Sequence, residues 1–105
     1  MGIVDSQQHL VHRIDAGLSR LDPGLRARIA ERLCIPSQID ALTDPTGERT
    51  VSLVQVTARK ARQESSYEVV FDTAANAFGL IAGLEDGRVW YMGPYGEFDE
   101  AVQSM

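Results

Sequence analysis

Apolar residues recur at helical spacing through the first part of the chain. Leu10, Val11, Ile14, Leu18 and Leu21 fall on one stripe, with Asp5 or Ser6 placed to cap its start, and this predicts a helix over about 5–20. Asp22-Pro23-Gly24 breaks the stripe and also opens the next element, since proline at the first helical position gives up no needed donor. Leu25, Ile29 and Leu33 carry that second helix over 23–34, and Pro36 ends it by biasing Ile35 away from helical geometry. Ser37 and Asp40 have capping-box spacing and predict a short helix over 37–42, followed by the loop Thr43-Asp44-Pro45-Thr46-Gly47. Across 49–64 two readings compete. Val51, Val54, Ala58 and Ala61 make a helical stripe, while Val51 to Val56 is also strand material; the helix is preferred because Ala58 to Glu64 consists of strong helix formers.

After Ser66 the period changes to two. Tyr67, Val69 and Phe71 alternate with Glu68, Val70 and Asp72, predicting a strand over 67–72 with one face buried. A second strand over 78–84 sets Phe78, Leu80, Ala82 and Leu84 against Gly79, Ile81 and Gly83, so one of its faces is nearly bare and either open or closely approached by another backbone. Glu85-Asp86-Gly87 is a hairpin signal leading to a third strand over 88–92. Phe98, Ala101, Val102 and Met105 then mark a helix over 97–105, with Glu97, Asp99 and Glu100 at its start, where the helix dipole favours negative charge. The expected fold is a single α+β domain, 1–105, with helices packed on a three-stranded antiparallel meander.

A chain of 105 residues supports one core, and no apolar run approaches the roughly 18 residues that a membrane span needs. Cys34 is the only cysteine, so no internal disulfide can form, and a reducing, cytoplasmic setting without membrane association is expected. Arginine supplies nine of the ten basic residues and alanine is abundant, a bias that fits a GC-rich, bacterial coding sequence.

The net charge of −5 is unevenly spread. Residues 1–63 carry nine basic and seven acidic side chains, whereas 64–105 carry eight acidic ones and only Arg88. An acidic half of this kind repels phosphate, so it points to a protein partner with a basic surface and makes nucleic acid a secondary reading.

Candidate chemistry is thin. His9 and His12 with Asp5 or Asp15 could begin a metal site on one helix face, but the sequence names no further ligand, and a solvated histidine pair is the simpler reading. Cys34 beside Leu33 and Ile35 reads as a small buried hydrophobe, not a nucleophile. Glu85 with Asp86, and Asp99 with Glu100, are sequence neighbours whose side chains diverge. No metal, cofactor or enzymatic activity is therefore expected.

Two local patterns resemble DNA-binding elements. Arg28-Ile29-Ala30-Glu31-Arg32-Leu33-Cys34-Ile35-Pro36-Ser37-Gln38-Ile39-Asp40-Ala41-Leu42 resembles a helix-turn-helix, which implies a DNA-binding regulator with Arg26, Arg28, Arg32, Arg59, Lys60 and Arg62 as its basic surface. Between Ser37 and Thr43, however, only Gln38 could read a base edge and Asp40 would repel phosphate. The stretch from Arg88 to Ala101, with its strand, Gly-x-Phe and Glu-Ala helix start, resembles small sheet-plus-helix DNA-binding domains of the AP2 class; those use basic strands, so the likeness implies architecture only. The preferred expectation is a non-catalytic adaptor, inhibitor or immunity-type module that binds a protein through Trp90, Tyr91, Tyr95, Glu97, Asp99 and Glu100. Burial of both sheet faces, by helices or in a symmetric homodimer, is the competing expectation for the aromatics.

Overall fold

The alternation that begins at Tyr67 belongs to a sheet that curves until it closes on itself. The computed structural model describes residues 2–44, 46–58, 67–84 and 87–105. Helix α1 (Gly2–Arg20) and helix α2 (Pro23–Ala30) are followed by strands β1 (Leu33–Leu42), β2 (Thr50–Thr57), β3 (Tyr67–Asp72), β4 (Ala77–Gly83) and β5 (Val89–Gly96), and then helix α3 (Phe98–Gln103). Neighbouring strands run antiparallel in chain order, and β1 meets β5 to close a barrel. Five up-and-down strands leave the first and last pointing the same way. The seam is therefore parallel, and its register is Leu42 opposite Trp90.

Closure sorts the side chains into an outer and an inner set. Val56, Val69, Phe71, Phe78 and Leu80 point outward and pack with Leu10, Ile14, Leu21 and Ile29 of α1 and α2 and with Phe98, Ala101 and Val102 of α3. Phe78 stands at the centre of this layer, edge-on to Phe71 with ring centroids 5.0 Å apart and to Phe98 at 5.5 Å. Inside the barrel lie Ala41, Leu53, Val70 and Ile81, joined by Ile39, Val51, Val89 and Tyr91. A five-stranded lumen holds few large groups, and Gly79 makes room for one of them. A Cβ at Gly79 would come within 2.7 Å of Tyr91 Cε1 and would collide with the carbonyl oxygen of Gly93. The glycine-bare face of β4 is thus the lumen face, approached by both an aromatic ring and a neighbouring backbone.

The α+β class, α1, the start of α2, the antiparallel order of β3 to β5 and the final helix agree with the sequence reading, while β5 continues to Gly96, through the Gly-Pro cluster before which the predicted strand stops at 92. Four other expectations do not. Helix α2 ends at Ala30, and the predicted helix over 37–42 is instead most of β1, where Ile39 and Ala41 turn into the lumen opposite Leu53 and Val51. The predicted helix over 49–64 is a strand from Thr50 to Thr57, as its β-branched residues also allowed; 59–66 lies outside the described residues. Strand β3 is covered on both faces, because Glu68, Val70 and Asp72 line the inside of a closed barrel and not the wet side of an open meander. The meander is three-fifths of a larger sheet. No helix among the described residues is long and apolar enough to cross a membrane.

Gly79→Ala is expected to lower the unfolding free energy by about 1–3 kcal/mol, the usual cost of an over-packed interior. Gly24→Ala in α2 meets nothing nearer than 3.7 Å and should be neutral or slightly stabilising. Urea unfolding of the two variants beside the parent measures both.

Candidate functional site

Four places hold the sequence candidates: the lumen, the lower end of the barrel, a cleft between α1 and α3, and the outer face of the sheet. Tyr91 belongs to the lumen. Its hydroxyl donates to Asp72 Oδ2 at 3.0 Å, while Asp72 Oδ1 accepts from the backbone N–H groups of Ala74 and Ala75 in the β3–β4 turn. Burial, then the bond to Asp72 and its negative charge, push the phenol well above the ordinary tyrosine range. Tyr91 is a structural side chain and leaves the proposed partner surface.

At the lower end of the barrel Arg32 reaches inward from the link between α2 and β1. Its Nη2 donates to Glu68 Oε1 at 2.8 Å and to the carbonyl of Tyr67, and Glu68 Oε1 also accepts from the Thr57 hydroxyl at 3.0 Å. Thr57 Oγ1 in turn accepts from the N–H of Val69 at 2.8 Å. Both charged side chains are close to nine-tenths buried, and Arg32 Nε and Glu68 Oε2 are buried without a hydrogen-bond partner. The pair binds through one point of each fork. Cys34 is half-buried nearby, and desolvation, with the negative charge of Glu68 adding to it, raises its thiol pKa, which disfavours the thiolate a nucleophile needs.

The acidic start of α3 faces α1 across a cleft of about 600 Å³ lined by His9, His12, Arg13, Arg20, Glu97, Asp99 and Glu100. Arg13 Nη2 meets Glu97 Oε2 at 3.0 Å, and its Nη1 donates to Asn76 Oδ1 at 2.7 Å while the guanidinium lies over the rings of Phe71 and Phe78. Arg20 Nη2 meets Asp99 Oδ1 at 3.0 Å, and Glu100 Oε1 accepts from the Glu97 N–H at 2.8 Å. Two of the three carboxylates proposed as an acidic docking patch therefore tie α3 to α1. His9 and His12 are exposed on the α1 wall, and no group of three His, Cys, Asp or Glu side chains suited to a metal is found among the described residues.

The DNA-binding elements are not assembled. What would be the recognition helix is β1, so the helix-turn-helix resemblance over 28–42 does not extend to the structure. Arg26 caps the end of α1, donating from Nε to the Leu18 carbonyl at 2.9 Å and from Nη2 to that of Leu21 at 3.0 Å, and Arg32 is buried on Glu68. Arg28 is exposed in the last turn of α2; Arg59, Lys60 and Arg62 lie outside the described residues. Strands β3 to β5 and α3 keep the order of the AP2-like pattern but sit within a closed barrel.

Trp90 is placed differently from Tyr91. With Tyr91 inward, the pleat turns Trp90 outward, opposite Ala82 on β4, which is opposite Tyr67 on β3. Directly paired residues share a face, so Tyr67, Ala82 and Trp90 form one row across three strands. The adjoining outer residues, Val69 and Leu80, are sealed by the helices at 0% and 1% exposure, whereas Tyr67 is 37% exposed and Ala82 and Trp90 are only partly buried. Comparison with protein-family models, curated proteins and solved structures gave no match. Tyr95 is also exposed, but lies five residues further along β5, roughly 17 Å from Trp90 at the usual strand rise. The surface expected from Trp90 to Glu100 is thus two surfaces, an aromatic row at one end of the sheet and an ion-paired cleft at the other. Sequence reasoning missed Tyr67 and Ala82; the two hairpins that set their register were the available signal.

Glu68→Leu leaves Arg32 buried without its carboxylate and should cost about 3–5 kcal/mol, with the double variant Arg32→Met, Glu68→Leu recovering much of the loss; thermal and urea unfolding read this. In alkaline titration followed at 295 nm, one of the three tyrosines should ionise only with unfolding, and Tyr91→Phe should remove that late component. The raised folded-state pKa means this stabilisation is complete below about pH 10, the ordinary value, and is lost as pH climbs beyond it.

Proposed function

We propose that this protein is a non-catalytic protein-binding module whose partner docks on the outer row of Tyr67, Ala82 and Trp90. The observation that carries the reading is the contrast along one sheet face: the helices seal two of its rows, whereas in the third Tyr67 is exposed and Ala82 and Trp90 are only partly buried. Aromatic side chains bring large contact area at low entropic cost, which is why they dominate interface energetics. A basic partner is favoured by the net charge of −5, and chiefly by the long-range attraction that speeds encounter. The ion pairs of Glu97 and Asp99 make the α3 surface a weaker candidate than its sequence suggested. In support of the non-catalytic reading, burial and the charge of Glu68 raise the Cys34 thiol, which disfavours it as a nucleophile.

Ala82→Arg places a long cationic chain between the two aromatics without removing any packed group. Cross-linking in extracts of the source cell should give a defined partner with the parent protein and with Gln103→Arg on the exposed side of α3, and lose it with Ala82→Arg. Equal recovery by all three would contradict the docking surface.

A further inference from the structure

We draw no further inference here: the strongest candidate, the cleft between α1 and α3 with His9 and His12 on its α1 wall, belongs to the site already described, since its Arg13 and Arg20 are taken up by Glu97 and Asp99 in fastening the two helices, and nothing in the structure shows what would bind there.

Discussion

The fit of Tyr91 into the space left by Gly79 fixes much of this structure. A barrel of five strands has a narrow interior, and a ring of this size enters only where another strand contributes no side chain at all. Once Tyr91 is inside and bonded to Asp72, the pleat decides the rest of that part of β5: Val89 also turns inward and Trp90 turns out. A slip of one residue would expose the phenol and bury the indole. The same register brings Trp90 opposite Leu42, which closes the sheet.

Closure gives the helices a defined place. They cover Val56, Val69, Phe71, Phe78 and Leu80 on the outside, with Phe78 held between Phe71 and Phe98. Arg13 joins three parts at once, since it lies over the phenylalanine rings, pairs with Glu97 at the start of α3 and bonds Asn76 in the β3–β4 turn. Asn76 itself has a positive φ of 54°, a conformation asparagine accepts more readily than most residues. The polar contacts at this surface therefore fasten α1 to α3, and the Tyr67–Ala82–Trp90 row lies outside the layer that the helices cover.

How much of the fold could be read from the sequence depends on how far apart in the chain the deciding contacts lie. Helix α1, the Asp22-Pro23 start of α2 and the hairpin at Gly87 depend on neighbours a few residues away and were directly legible. Strand β1 depends on β2 and on the seam to β5. Ser37 and Asp40 carry a local helix signal that competes with Ile39 and Ala41 turning into a lumen, and that lumen exists only when all five strands are present. The β-branched residues from Thr50 to Thr57 were the local sign that the strand would win there.

The site divides on the same principle. Trp90 stood out by residue type, but alternation could not say which of Trp90 and Tyr91 faced outward, because in a barrel both faces of a strand can be apolar. The charge of 64–105 was legible as a sum and misleading as a surface, since Arg13, Arg20 and Arg32 are delivered from elsewhere in the chain to Glu97, Asp99 and Glu68. Whether the barrel is closed with the indole outside is tested most directly by nuclear Overhauser contacts in the isotope-labelled protein. Closure predicts backbone contacts from Trp90 to both Leu42 and Ala82, with the Tyr91 ring close to the α-protons of Gly79. Contacts from Trp90 to Ala82 alone, with none to Leu42 and none from the Tyr91 ring to Gly79, would describe an open sheet and contradict a closed barrel.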